Sequence, residues 1–347
     1  MSEPAALDKE TTMSDSVIER PYLLFLGAAP SNLWAKTAAG IAHWRPDWCV
    51  GQISLPGCGA DTGFDELTLK AAMARGAKTL VIGVAPAGGA FPDAWTDPVV
   101  AAIETGLDIA AGLHCRLGDI PAFAEAANRH GRRLIDVRHP SRNFDIATSD
   151  RRSGHRLLTV GTDCCVGKMY TALALEREMQ ARGMKADFRA TGQTGIFIAE
   201  RGVSVDAVVS DFVSGATEWL TPANDADHWD LIEGQGSLYH VSFSGVSLGL
   251  LHGSQPDALV LCHDASRTHN DDFPDVELPG LEACAEANLA LARISNPDVR
   301  LVGVALNTSK TDPSGVERLL AGTAERLGVP CVDPVATGVA AIVDTLD

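Results

Sequence analysis

The stretch Gly161-Thr162-Asp163-Cys164-Cys165-Val166-Gly167-Lys168 limits what this chain can fold into more than any other. An apolar run, Leu157-Leu158-Thr159-Val160, precedes it, and Met169 to Arg182 reads as a helix. A strand, a glycine-bracketed loop ending in Gly-Lys, then a helix is the design of a phosphate cradle. Backbone N–H groups of the loop and of the helix N-terminus point at the anion, and the lysine adds a point charge. Met169 follows, where a nucleotide hydrolase places the Ser or Thr that holds Mg²⁺. The loop therefore predicts a bound phosphate. Its last residue argues against ordinary ATP cleavage, so Mg²⁺ is not expected to be required.

A chain of 347 residues can bury two cores. The first half alternates strand and helix patterns. Tyr22–Leu26, Thr79–Val84 and Leu134–Val137 read as strands, and 32–43 and 122–130 as helices, with Gly131 as a stop. Gly27 at a strand end resembles the start of a dinucleotide fold, but G-x-G-x-x-G is missing, so the loop 27–32 is weak evidence for NAD. Residues 138–154 are polar and turn-rich and mark a boundary. A second series of strands follows at 156–160, 187–190, 207–209, 229–232, 258–262 and 301–306, with helices at 169–182, 279–294 and 315–327. Pro279 suits a first helical position, and Gly183 and Gly328 suit C-caps. The expected fold class is α/β in two domains, a Rossmann-like parallel sheet followed by a P-loop NTPase-like parallel sheet. The expected divisions are a disordered tail at 1–20, the first domain at 21–150 and the P-loop domain at 151–347.

The balance of 28 Lys+Arg against 45 Asp+Glu gives a net charge of −17. That disfavours nucleic acid and anionic membranes as partners, because both are bound through clustered positive charge. No apolar run is long enough to span a bilayer, and the first twenty residues lack the apolar centre of a signal peptide. Eight cysteines with no C-x-x-C pair then read as reduced, buried thiols in a cytoplasmic protein. A homo-oligomer is expected.

Other residues carry candidate chemistry. Asp230-Leu231-Ile232-Glu233-Gly234-Gln235-Gly236-Ser237 reads as a strand ending in Glu-Gly-x-Gly. A strand-end carboxylate such as Glu233 suits a base or a metal ligand, or else it caps nearby N–H groups. Thr191-Gly192-Gln193-Thr194-Gly195 lets backbone approach a ligand closely, which makes Gln193 and Thr194 substrate contacts, or is plain turn chemistry. Asp211 lies at the end of the run 207–209 and is another candidate carboxylate. His240, His252, His263 and His269 are spaced by 12, 11 and 6 residues, which matches no compact metal motif. They read as core or surface histidines, with His240 a candidate acid/base, and no metal site is expected. Arg138, Arg142, Arg189, Arg267 and Lys310 stand at expected loop edges, where a guanidinium can hold a carboxylate bidentately. Cys164 and Cys165 fill a tight loop; a nucleophilic thiolate is conceivable there.

The form G-T-D-x-x-V-G-K resembles the loop of dethiobiotin synthetase and its relatives. The strand ending at Glu233 and the strand Val302 to Asn307 resemble that group's acidic and base-contacting strands. Further strings extend the likeness: Gly106-Leu107-Asp108 with Gly112-Leu113-His114, Asp136-Val137-Arg138, Thr191 to Ile196, and Leu250 to Asp257. Together they resemble, over about residues 20 to 345, a bacterial and archaeal family pairing a Rossmann-like domain with a P-loop domain. At least one branch of that family is described as D-glutamate N-acetyltransferase, which uses acetyl-CoA beside an N-acetyl-D-glutamate dehydrogenase.

The resemblance implies acetyl transfer from acetyl-CoA to D-glutamate. Residues Gly161, Thr162, Asp163, Cys164, Cys165, Val166, Gly167, Lys168 and Met169, with Asn307, would hold the CoA nucleotide. Arg138, Arg189 and Arg267 would clamp the two carboxylates of D-glutamate. Glu233 is the first choice of base, ahead of Asp211 and His240. A loop that grips phosphate without a Mg²⁺-binding hydroxyl suits a cofactor whose phosphates are held and not cleaved. The rival readings are an ATP- and Mg²⁺-dependent ligase or kinase, a non-catalytic nucleotide-binding protein, and NAD-dependent redox chemistry lacking its glycine fingerprint.

Overall fold

The computed structural model describes residues 18–86 and 91–346, which fall into two compact units. One comprises the chain up to Ser141 together with Ile196–Ser204; the other comprises Arg142–Gly195 and Val205 onward. Residues 1–17 of the expected tail, and 87–89 of the expected Gly/Pro turn, lie outside the described residues. Residues 18–20 belong to the folded body: Ile18 is buried, the Glu19 carbonyl accepts from Thr79 Oγ1, and Arg20 pairs with Glu200.

The first unit runs β1 (Tyr22–Gly27), α1 (Lys36–Trp44), β2 (Cys49–Ser54), α2 (Leu69–Ala74), β3 (Thr79–Ile82), α3 (Thr96–Thr105), β4 (Asp108–Ala111), α4 (Pro121–His130) and β5 (Leu134–Asp136). Its strands are all parallel in the order β2-β1-β3-β4-β5, with the direction of winding reversing between β1 and β3. Strands covered on both faces by helices must be apolar throughout, and β1, β3 and β4 are buried at every residue. The helix expected from 32 begins at Lys36. Asn32 spends its side chain on the backbone of Asp61 in both directions, the short-range competition that keeps Asn out of helix starts unless it caps them.

The second unit runs β6 (His155–Gly161), α5 (Lys168–Ala181), β7 (Lys185–Arg189), α6 (Gln193–Ala199, whose last four residues group with the first unit), α7 (Val213–Leu220), β8 (His228–Ile232), α8 (Ser244–Ser254), β9 (Ala258–Asp264), α9 (Leu281–Ala292), β10 (Arg300–Asn307), α10 (Pro313–Leu327), β11 (Cys331–Val332) and α11 (Ala340–Val343). The six strands are parallel in the order β11-β10-β9-β6-β8-β7. From β6 the chain goes out to β7, returns to β8, then crosses to β9 on the other side. The carboxyl end of β6 is therefore the point where winding reverses, and open parallel sheets bind ligands there.

The run 207–209 is not a strand. Val205–Ala207 and Ser210–Phe212 are 3-10 turns, Val209 is 68% exposed, and Asp211 lies exposed on the second turn. Three apolar residues fit one helical turn as well as a strand, and periodicity over so short a run does not separate them. Helix α9 starts one residue after its cap Gly280, so Pro279 precedes the helix, and Ile294 lies beyond its end. Gly253 and Ser254 are the last residues of α8, and the turn is made by Gln255 at a left-handed φ of 47°. All eight cysteines are free, but only Cys262 and Cys284 are buried and Cys165 is exposed. Among the described residues no helix is long and apolar enough to cross a membrane.

Candidate active site at the carboxyl edge of the second sheet

The cradle forms where the sequence places it. β6 ends at Gly161 and α5 opens at Lys168 behind Gly167, whose left-handed φ of 101° a residue with a side chain rarely adopts. Cys165 is also left-handed, at φ 54°. Three successive loop carbonyls are capped by the protein. Thr162 O accepts from Ser237 Oγ at 3.0 Å, Asp163 O from Lys168 Nζ at 2.7 Å, and Cys164 O from Arg267 Nη1 at 2.9 Å. In a trans peptide the C=O and the following N–H point in opposite directions. Pinning these carbonyls therefore fixes the amides of residues 163–165, and the opening turn of α5 adds N–H groups without helical partners. The Thr171 hydroxyl donates to Gly167 O at 3.0 Å and so belongs to the helix.

Asp163 binds the cradle to the segment after β9. Its carboxylate, fully buried, accepts from Cys164 N at 2.7 Å, Asn270 Nδ2 at 2.8 Å, Asp271 N at 3.0 Å and Arg267 Nη1 at 3.3 Å. Arg267 also faces Asp264 and Asp271 at 3.4 and 3.5 Å. Removing the carboxylate leaves a poorly exposed guanidinium and three other donors without this acceptor. Asp163→Ala is expected to destabilise the fold by about 3–5 kcal/mol, read as a lower urea midpoint at unchanged slope.

His240 is packed between Phe243 and Phe273, with ring centroids at 4.5 and 5.6 Å. Its Nδ1 accepts from Ser242 N at 3.2 Å, which puts the ring hydrogen on Nε2, 3.2 Å from Asp272 Oδ2. Ligand atoms of Asp163, Cys164 and His240 lie within 4.8 Å of one another, close enough to suggest a cation. The donor set does not favour one. Asp163 already serves four donors, both His240 nitrogens are engaged, and burial pushes the Cys164 thiol up to about 11. The group acts as a polar clasp on the loop.

Glu233 follows β8 and is buried. Oε2 accepts from Thr191 N at 3.0 Å and Gly192 N at 3.1 Å. A Cβ on Gly195 would run into the same oxygen, and one on Gly192 would meet the Gln235 amide. These two glycines, expected to admit a ligand, make room for Glu233 and its neighbour. Burial raises the carboxyl to about 7, against the lowering effect of the two N–H groups, the Gln235 side chain and the charge of Lys168. The Lys168 stem passes so near β8 that a Cβ on Gly234 would lie 3.0 Å from Cδ. Cradle lysine and buried carboxyl are thus close enough for the charge of one to act on the other.

The other expected site residues are dispersed. Asn307 ends β10 in register with Asp264, its Oδ1 accepting from Ser309 N. Arg189 is buried and paired with Asp230 at 2.7 Å, so its guanidinium is committed within the sheet. Arg142 lies over the Trp219 ring at 4.6 Å. Gln193 and Thr194 open α6, Met169 is half-buried in the first turn of α5, and Arg138 follows β5 in the first unit. Residues not singled out in sequence are Ser237, Asn270, Asp271 and Thr159, whose hydroxyl accepts from Gly234 N at 2.9 Å.

Residues 144–343 match the family model "Domain of unknown function (DUF1611_C) P-loop domain", and residues 55–140 match "Domain of unknown function (DUF1611_N) Rossmann-like domain". A protein of Tritonibacter scottomollicae named D-glutamate N-acetyltransferase is 55% identical over 330 residues, spanning 95% of this chain and 99% of its own. One of the same name from a Pseudoalteromonas species is 46% identical over 329 residues, with the same coverage. The crystal structure of a DUF1611 family protein from Anabaena variabilis superposes with a TM-score of 0.86 at 33% identity, covering 94% of this chain and 99% of that one. With both domain models in sequence and near-complete coverage at these identities, the chain belongs to the DUF1611 family, the family of these D-glutamate N-acetyltransferases.

Proposed function

We propose that this protein is an N-acetyltransferase that moves the acetyl group of acetyl-CoA to the amino group of D-glutamate. The observation that carries the reading is the pairing of a phosphate cradle lacking a hydroxyl at position 169 with a buried carboxyl whose proton affinity lies near neutrality. The name of the two curated relatives supports the acceptor.

The loop amides and Lys168 bind the phosphates of CoA, Lys168 Nζ exchanging the Asp163 carbonyl for a phosphate oxygen. The amine of D-glutamate reaches the site as an ammonium, and only the free amine has a lone pair to add to the thioester carbon. Glu233, ionised, takes that proton. The C–N bond forms, the carbonyl oxygen gains charge, and collapse breaks the C–S bond with its electron pair leaving on sulfur; the thiolate takes the proton held by Glu233, and the carboxylate so regenerated takes the second proton from the new amide nitrogen and passes it to solvent. Arg267, already at the cradle, is the cation that meets a carboxylate of D-glutamate, with Gln193 and Thr194 as polar contacts; Arg189, committed to Asp230, is not drawn on.

Calorimetric titration in EDTA tests the cofactor. Acetyl-CoA is expected to bind without metal, and more tightly than ATP. Binding of ATP that needs Mg²⁺, with none of acetyl-CoA, would contradict the assignment and favour a ligase or kinase.

A further inference from the structure

His263 takes no part in the steps above, yet its ring stands at the cradle. It is the penultimate residue of β9, and the preceding Cys262 is in register with Gly161, the last residue of β6. Strand and loop are joined twice here: Thr162 N donates to Cys262 O at 3.2 Å, and Thr162 Oγ1 lies 2.8 Å from His263 Nδ1. Thr162 is the loop residue just before the amides of 163–165, which the pinned carbonyls hold in place.

The direction of the second bond follows from what is buried. Thr162 is 1% exposed, and its hydroxyl has no other partner among the described residues. A ring hydrogen on Nδ1 would leave the hydroxyl hydrogen buried without an acceptor, which is the costly arrangement. With the hydroxyl donating to Nδ1, every polar hydrogen of the pair is placed and the ring hydrogen lies on Nε2. Nε2 has no partner among the described residues and is not one of their buried unpaired atoms, so it meets solvent. The charges around the ring are Asp264 and Arg267, on the segment it leads into, and Asp163, on the loop. Burial, joined by Arg267, outweighs the pull of the two carboxylates and holds the ring below its ordinary pKa, so it is neutral at physiological pH.

We infer that His263 Nε2–H is a further donor to the phosphate held in the cradle. The ring is tied to the loop residue that precedes the phosphate-facing amides, and it offers an N–H of fixed tautomer at the same carboxyl edge. Position 169 supplies no hydroxyl for Mg²⁺, so the phosphate oxygens find their partners in protein donors, and a neutral imidazole adds one beside the loop amides and Lys168. Thr162 is the positioning residue, because its hydroxyl fixes which nitrogen carries the hydrogen. The inference rests on the reading of the cradle as a phosphate site and not on acetyl transfer: a phosphate of coenzyme A or of ATP is met in the same way.

Two measurements test this. The first uses the native protein labelled with ¹⁵N-histidine, in EDTA. Long-range ¹H–¹⁵N correlation at pH 7–8 is expected to show His263 as the Nε2–H tautomer. Saturation with coenzyme A is expected to raise its ring pKa by about 1, because an anion beside the ring favours the imidazolium. An Nδ1–H tautomer, or a ring pKa that coenzyme A leaves unchanged, would overturn the inference. The second is calorimetry on two variants that separate the two nitrogens. His263→Asn keeps an acceptor at the place of Nδ1, for Thr162, and has nothing at the place of Nε2; His263→Gln reaches that second place with an amide N–H. The Asn variant is expected to bind coenzyme A and inorganic pyrophosphate about 10-fold more weakly than the native protein, and the Gln variant to recover about threefold or more of that loss. Native affinity in the Asn variant would leave His263 only its bond to Thr162 and overturn the inference. So would a loss for coenzyme A that pyrophosphate does not share, or a Gln variant no better than Asn. If neither variant folds, the tautomer and the ring pKa of the native protein decide. If the native protein binds ATP and not coenzyme A, the acetyl-transfer reading fails by itself, and the same comparison with ATP decides the role of His263. A native protein that binds neither nucleotide nor pyrophosphate overturns it.

Discussion

Lys168→Ala is expected to weaken acetyl-CoA binding by about 10- to 100-fold and to cut kcat/KM at least as much. A charge-assisted hydrogen bond contributes about 1.5–3 kcal/mol, and each 1.4 kcal/mol is tenfold. The free protein spends this ammonium on the Asp163 carbonyl at 2.7 Å, with the side chain 7% exposed. A phosphate oxygen, being charged, is a better acceptor than the loop carbonyl. Lys168→Met keeps the stem that packs against Gly161 and Gly234 and removes the charge alone. It should resemble alanine in acetyl-CoA KM, and full activity at native KM in either variant would remove the cradle from the cofactor site.

Glu233→Gln is expected to lower kcat by about 10²–10⁴-fold, the usual contribution of a positioned base. Its pH behaviour separates it from other losses. The carboxyl stands at about 7, so below that pH it holds its proton and cannot take one from the ammonium. Native kcat/KM should therefore rise with pH through about 7, and the glutamine variant should keep only the limb set by the substrate amine. Stability should move the other way. The folded state retains between pH 4.5 and about 7 a proton that the unfolded chain has released, so the contribution of Glu233 to stability falls as pH rises through that window. At 1.36 kcal/mol per unit, the ionised buried carboxylate costs up to about 3 kcal/mol above pH 7. Glu233→Gln should thus be more stable than the native protein in urea at pH 8, with the advantage gone near pH 4.5. A variant equally stable at both pH values would show that Glu233 is not the strained group described.

How much of this could be read in the sequence depends on how far apart the interacting residues are in the chain. The cradle was legible because strand, loop, lysine and helix are contiguous from Leu157 to Arg182. Glu233 was legible as a strand-end carboxylate, but its proton affinity was not, because burial is set by the packing of three elements. The clasp on Asp163 joins it to Asn270, 107 residues away, and no local spacing announces such a pair. Gly192 and Gly195 show a subtler limit. Sequence marks a place where a backbone must be approached closely, but not by what; here it is the carboxyl of Glu233 and the amide of Gln235. Arg189 looked like a free loop-edge cation because its partner Asp230 lies on the neighbouring strand, opposite Asp187 in register and two residues from Arg189 along β7.

The central claim is that this site transfers acetyl from coenzyme A and does not cleave ATP. The most direct measurement is thiol release from acetyl-CoA with D-glutamate, L-glutamate and other D- and L-amino acids, in EDTA and again with Mg²⁺ and ATP. The account predicts thiol released stoichiometrically with N-acetyl-D-glutamate, undiminished in EDTA and with no ADP formed. ADP formation dependent on Mg²⁺, with no thiol released by any amine, would contradict it.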